Sequence, residues 1–333
     1  MARTIGGLVN VAISREATRG VCPAGAPEFW HPWVDFTFDD KASYQFSQEA
    51  LGVIDETHES KVTERFGEGD FTGEFRTEAT GLLLLATMGQ ETWGLTPGEA
   101  AVWDHTMTLD DDNNQHPSLC MTVEHQNGDY SFPLVMVNTF ELNVELDAFV
   151  QFTCGFISKP SDDSKYNPPD HGVGNKFTAR HVKLFYATTI ANLDIGGSRT
   201  EIELQSLTLT IEKNLLRKHV TGTLEPYDIL NQIFSVSGTF TTPYEDQTVR
   251  GYSLAGTNRA VLIDIEDQGN TIGVASFPRL RIYMPNVAFE DWTPERPKGE
   301  LYDEVIAFKG MRDETNNYST IQRIMLRNET AGY

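Results

Sequence analysis

Phe140-Glu-Leu-Asn-Val-Glu-Leu146 alternates strictly: Phe140, Leu142, Val144 and Leu146 fall on one side, and Glu141, Asn143 and Glu145 on the other. In an extended chain successive side chains point to opposite faces, so this is a strand with one buried face and one wet face. Beyond Asp147-Ala148 the alternation resumes through Val150, Phe152, Cys154 and Phe156, which predicts a bend or bulge at the break. A second stretch, Glu201–Glu212, repeats the pattern. Ile202 and Leu204 are followed by a phase slip at Gln205-Ser206 and then by Leu207, Leu209 and Ile211, with Glu201, Glu203, Thr208, Thr210 and Glu212 on the opposite face.

Outward from these, period-two runs punctuated by Gly, Pro, Asn and Asp predict further strands at 118–123, 177–188, 261–266, 279–284, 304–311 and 320–327. Helices are few. One is expected over 78–88, closed by Gly89; another from Pro226 toward Phe234; a third over 245–254, before Gly256. The fold class is therefore mainly β: an antiparallel sandwich or partial barrel with one or two short packed helices. A single domain over 1–333 is expected, with an N-terminal arm over about 1–40 and a long inserted loop over about 158–176. No tandem repeat of fixed period is visible.

The chain has 333 residues, 39% hydrophobic and 11% aromatic, enough for a substantial core. Its longest apolar run, Leu82–Ala86, is far short of the ~18–20 residues that span a bilayer. The N-terminus lacks a secretory apolar segment, so a cytosolic site of synthesis is expected. Three widely spaced cysteines, Cys22, Cys120 and Cys154, do not describe a disulfide framework and read as small buried apolar residues. With 26 Lys and Arg against 48 Asp and Glu, the net charge of −22 repels nucleic acid. DNA-gripping proteins neutralise phosphates with clustered cations, and no such cluster occurs; an acidic wall instead keeps a polyanion from adhering.

Motifs for chemistry are weak. His116, Cys120 and His125 are metal-ligating types, but they lie on an alternating strand and match no closed zinc module. Asp110-Asp-Asp-Asn-Asn114 lacks the glycine and terminal glutamate of a calcium loop and reads as a solvated turn. Gly196-Gly197 and Gly172-Val-Gly174 precede no Gly-Lys-Ser/Thr and read as turn glycines. No nucleophile elbow is present. Asn317-Tyr-Ser and Asn328-Glu-Thr match glycosylation acceptors, which carry little weight without a secretory signal. No motif calls for a cofactor.

Two irregular stretches attract attention: Val21–Pro27, followed by Phe29, Trp30, Trp33, Phe36 and Phe38, and the loop Ser158–Gly174. Both are rich in aromatic residues or proline, and such segments often order on a partner. Trp30, Trp33, Phe36, Tyr166, Pro168 and Pro169 are accordingly candidate contacts between subunits.

Taken in order, several segments resemble the tail tube proteins, also called major tail proteins, of long flexible-tailed bacteriophages. They are Ser14–Gly20 with Phe29-Trp30 and Phe36; Gly69–Phe75 leading into Gly81–Gly89; His105–Thr108 with Pro117–Leu119; and Leu207–Asn214 followed by Ile233–Phe240 and Ala255–Thr257. The shared order covers nearly the whole chain, while the Ser158–Gly174 loop and Asp291–Lys298 depart from the pattern. The resemblance implies a non-enzymatic virion protein, made in the host bacterial cytoplasm, whose rings of six subunits stack into a hollow tube. Strands from each subunit would join in an inner barrel through which DNA passes at ejection without specific binding. It also implies tape-measure, tail terminator and distal tail or baseplate proteins as partners. On that reading Glu141, Glu145, Asp147, Glu201, Glu203 and Glu212 either line the lumen or face outer solvent.

Two rivals stand beside this. Trp30, Trp33, Trp93, Trp103 and Trp292 could furnish aromatic platforms for a carbohydrate-binding or carbohydrate-cleaving sandwich, although five tryptophans are more simply core residues. A tail terminator or capsid decoration protein would share the fold and differ in copy number.

Overall fold

The computed structural model describes residues 5–25, 29–126, 128–164, 168–172, 174–194, 198–296 and 302–333. Tyr166, Gly196-Gly197, Val173 and residues 297–298 lie outside them. In chain order the strands are β1 (Asn10–Arg15), β2 (Phe29–His31), β3 (Asp35–Phe36), β4 (Asp39–Phe46) and β5 (Ser60–Glu74). Helix α1 (Thr80–Met88) precedes β6 (Gly89–Leu95), β7 (Trp103–Leu109), β8 (Leu119–His125), β9 (Gly128–Glu145), β10 (Gln151–Ser158) and β11 (Asp162–Asp163). Then come β12 (Val182–Ala187), α2 (Ile190–Leu193), β13 (Thr200–Ile202), β14 (Ser206–Glu212), β15 (Leu216–Lys218), β16 (Asp228–Leu230) and β17 (Ser235–Pro243). Helix α3 (Thr248–Ala255), β18 (Arg259–Glu266), β19 (Arg279–Glu295), β20 (Asp303–Met311) and β21 (Arg323–Asn328) complete the chain.

The molecule is mainly β and antiparallel, with no closed barrel among the described residues. A front sheet runs β3/β4–β5–β10–β9–β14–β17–β20–β19. The two longest strands leave it. The first half of β9 turns back to pair with β8 and β11, and the first half of β19 lies between β18 and β21. Rows of apolar side chains from front and back close on one core, in which Phe71, Phe140, Phe152 and Leu209 meet Val11, Ile13, Leu119 and Ile263. Helix α1 is buried on every side, which suits its uniformly apolar Leu82–Ala86 run, and it ends at Gly89 with φ 102°. Fully buried Lys213 donates from Nζ to the Ala86 carbonyl at 2.7 Å, satisfying one of that helix's terminal acceptors. Burial lowers the Lys213 pKa to about 7.

Several expectations change. The break at Asp147-Ala148 is a chain reversal: Asp147 takes φ 62°, and β10 returns antiparallel along β9. Glu201–Glu212 forms two strands, since β13 pairs with β12 while β14 pairs with β9 and β17. The phase slip at Gln205-Ser206 is where the chain leaves β12 as its neighbour and enters between β9 and β17. No helix follows Pro226; Asp228–Leu230 is strand β16, paired with β15. The strand expected over 177–188 begins only at Val182, after a 3-10 turn at Ala179–His181.

The cysteine reading is also corrected. Cys22 and Cys120 form a disulfide with Cα atoms 5.2 Å apart, and Cys154 alone is the free buried thiol. An odd count concealed one pair because pairing depends on β1 running beside β8, where Ser14 lies opposite Cys120. The bond closes a span of 98 residues. Cys120→Ser is therefore expected to lower unfolding free energy by about 2–4 kcal/mol. Urea denaturation checks this, and reducing agent should move the parent protein toward the variant's midpoint.

Candidate functional site

The front sheet has two unlike faces. Inward rows such as Gly73–Phe152–Leu142–Leu209–Gly238–Phe308 turn to the core, every member buried except the partly exposed Gly238. The alternate row, Thr72–Thr153–Glu141–Thr210–Ser237–Lys309, crosses the same six strands with every side chain at least partly exposed. The next row is Glu74–Gln151–Asn143–Thr208–Thr239–Ala307–Asp291. Strand alternation thus yields a broad wall of hydroxyls, amides and carboxylates backed by an apolar core.

Hydroxyls stitch this wall across strands. Thr72 and Thr153 are linked Oγ1 to Oγ1 at 2.9 Å, Ser206 and Thr241 at 3.0 Å, and the Gly155 amide donates to Thr139 Oγ1 at 3.1 Å. The carboxylates of Glu68, Asp70, Glu141 and Glu212 share the face with these hydroxyls, and Glu74 is paired there with Lys176 at 2.5 Å. A surface of this composition presents oxygen acceptors and negative charge to whatever passes it, and holds little that would grip a phosphate.

The six acidic residues singled out from sequence separate into groups. Glu141, Glu145 and Glu212 stand on the polar face, and Asp147 is exposed in the adjoining β9–β10 turn. Glu201 instead pairs with Lys183 at 3.0 Å on the β12–β13 ribbon, and exposed Glu203 lies in the link before β14. Of the contact candidates, Trp30 is buried on β2, Trp33 donates from Nε1 to the Val9 carbonyl at 2.8 Å, and Phe36 packs edge-on to Phe71. These three pack within their own chain. Pro168 and Pro169 are exposed.

Sequence reasoning missed the arm formed by β4 and the first half of β5. The two strands pair out to Phe46 and Ser60, and the connecting segment carries Leu51, Val53 and Ile54, the last fully solvent-exposed at 105%. Tyr44 and Phe46 are more than half exposed. Five large apolar side chains on one projecting ribbon form the kind of surface that a partner covers. The signal available beforehand was Leu51-Gly-Val-Ile54 standing between two polar strands.

Other motifs resolve without chemistry. His116 is held near the Asp110 carbonyl, 3.0 Å from its Nε2, and burial lowers its pKa to about 4. His125 stacks edge-on with Tyr130, and no group of three or more potential metal ligands gathers among the described residues. Asp110–Asn114 borders an open hollow of about 450 Å³, and Asp111 pairs with Arg312 at 2.6 Å. Asn328 is wholly buried and donates to the Thr77 carbonyl, so the folded chain cannot present it as a glycan acceptor. Of the tryptophans, Trp93 is half exposed against Trp103, and Trp292 donates to Glu304. No described helix is long and apolar enough to cross a membrane.

Comparison with protein families adds one match: the model described as phage tail tube protein fits residues 6–303, nearly the whole chain. No curated protein matches the chain.

Proposed function

The chain belongs to the phage tail tube protein family, and we propose that its polar face lines the lumen of a tube of stacked rings through which the genome leaves the particle. Membership makes it a structural component of the virion that assembles with copies of itself. The observation that supports the finer reading is the front sheet itself: eight strands wide, apolar behind and hydroxylated and acidic in front. Its assembly takes place in the host cytoplasm. Tape-measure protein fills the tube, and terminator and distal tail proteins cap its ends.

Charge gives the wall its role. Over ~8 Å at physiological ionic strength, carboxylates such as Glu141, Glu145 and Glu212 repel phosphate. That range keeps DNA from sticking without driving it along. Contacts between rings come from elsewhere, namely the apolar β4–β5 arm and exposed loop residues such as Pro168 and Pro169.

Negative-stain electron microscopy at rising protein and salt concentration tests assembly: hollow tubes of uniform bore are expected, and monomers under every condition count against them. The lining is tested by the triple variant Glu141→Lys, Glu145→Lys, Glu212→Lys. Its tubes are expected to retain short duplex DNA at low salt and to release it as salt rises, because each cation that meets a phosphate adds about 0.9 to the salt slope. Retention equal to that of the parent would place these residues off the lumen.

A further inference from the structure

We infer that the chain is two copies of one tube unit fused in tandem, and that the free edge of β19 receives the first front strand, β3/β4, of a second copy of this chain, so that three chains close a ring. The evidence is pairing, element by element. In the first half β1 lies between β2 and β8, β3/β4 pairs with β5, β5 with β10, and β10 with β9. In the second, β12 lies between β13 and β18, β14 pairs with β17, β17 with β20, and β20 with β19. Each half has a helix after its second front strand, with α1 packed on β9 and α3 on β19. Even the short flanking strands correspond, since β11 joins the first half of β9 as β21 joins that of β19.

Irregularities coincide as well, which chance resemblance between sheets would not produce. Between β8 and β9 the register moves from Leu119↔Val135 to Met121↔Phe132, two residues against three. Between β18 and β19 it moves from Arg259↔Val287 to Val261↔Met284, again two against three. A proline occupies both bulges, in Phe132-Pro-Leu-Val135 and Met284-Pro-Asn-Val287, where a missing amide costs the ladder nothing. A glycine faces a phenylalanine at matching points, Gly69 to Phe156 and Gly238 to Phe308.

The seam between the halves shows how units join. There β9, the last front strand of the first unit, pairs antiparallel with β14, the first of the second, through Glu141↔Thr210 and Thr139↔Glu212. By the correspondence β19 stands for β9 and β3/β4 for β14. Both are edges: β3 and β4 pair only with β5, and residues 288–295 of β19 pair only with β20, among the described residues. Carrying the seam's register across places Asp39 opposite Thr293 of the next copy and Lys41 opposite Asp291. The second pair is of opposite charge, and the polar face continues unbroken from chain to chain. Such a contact is head-to-tail, and it makes a ring when its rotation closes.

The copy number follows from width and rests on the proposed passage of DNA. Strands 4.7–4.9 Å apart, tilted as in barrels, each occupy about 6 Å of circumference. Two chains give sixteen strands and, after side chains, a bore of about 20 Å, which leaves no clearance around a duplex about 20 Å across. Three chains leave about 35 Å, and six leave about 80 Å, far wider than needed. A sixfold expectation assigns one unit to each chain; with two units per chain the same wall closes with three.

Two measurements test this. Oxidation of the Asp39→Cys/Thr293→Cys variant is expected to give covalent species ending at three chains, while Thr37→Cys/Asp291→Cys, about 13 Å out of register, stays monomeric on denaturing gels. Averaged end views of tubes should show threefold symmetry with six similar lobes. Rings of six chains, or cross-linking of the second variant and not the first, overturn the inference. If tubes never form, the lumen reading fails, and cross-linking of Asp39→Cys/Thr293→Cys between dissolved chains still decides the edge contact.

Discussion

Replacing Leu51, Val53 and Ile54 together by serine is expected to leave a folded protein that no longer makes tubes. These side chains stand in the segment that links β4 and β5, exposed by 59%, 62% and 105%. Within the chain their loss therefore costs little, within about 0.5 kcal/mol for surface substitutions away from special features. Covered by a neighbouring subunit, each would contribute roughly 1.5–3 kcal/mol. Losing three such contributions weakens each contact by at least about a thousandfold, a change that sedimentation and electron microscopy read directly. An unchanged thermal melt with no tubes at any concentration, only single chains or unstacked rings, is the expected result. Tubes formed at the parent's concentration would show that the arm does not join subunits.

The second large effect belongs to the sheet's hidden side. Phe152 stacks against Phe140 with ring centroids 6.1 Å apart and against Phe71 at 5.8 Å, with Phe75 edge-on at 6.5 Å. It lies on β10 between β5 and β9, so its ring fixes the spacing of three strands of the proposed wall. Phe152→Ala should cost about 3–5 kcal/mol, the usual range when a buried aromatic leaves a cavity. Thr153→Ala, one residue away on the polar face, should cost far less, on the order of the single hydrogen bond to Thr72, about 1 kcal/mol. Urea titrations of the two variants measure the contrast. Equal losses would mean that the two faces are not energetically distinct.

The edge strands connect these results. A sheet that ends in unpaired amides and carbonyls invites another strand, and proteins that stay monomeric usually blunt such edges. Here both front edges are left to pair, and the arm leaves apolar side chains exposed, which we assign to a contact in a second direction. Sideways pairing that closes a ring, together with an axial contact that stacks rings, is the minimum geometry for a tube.

How much could be read in advance differs from element to element. Phe140–Leu146 declared its two faces because alternation is a local property of the extended chain, and the helix Leu82–Met88 declared itself through an apolar run closed by glycine. Glu141, Glu145 and Glu212 could be nominated as wet for the same reason. Their shared face could not be known, and Glu201, on an equally regular strand, went to the β12–β13 ribbon. Alternation tells which side of its own strand a residue occupies, while a strand partner can lie more than 60 residues away, as Thr210 does from Glu141.

The same limit hid the Cys22–Cys120 bond, which depends on β1 lying beside β8, and the burial of Lys213, whose partner carbonyl is at Ala86. It also hid the tandem units. Their common features are pairings and bulges, and insertions of unequal length, β6–β7 in one half and β15–β16 in the other, erase any fixed period along the chain. The sequence by itself determined a β chain with an apolar and an acidic side and a short buried helix, because those follow from neighbours along the backbone. Which carboxylates share a wall, which edges remain open and how many units one chain carries were decided by tertiary structure, because hydrogen bonding between strands joins residues that sequence distance does not.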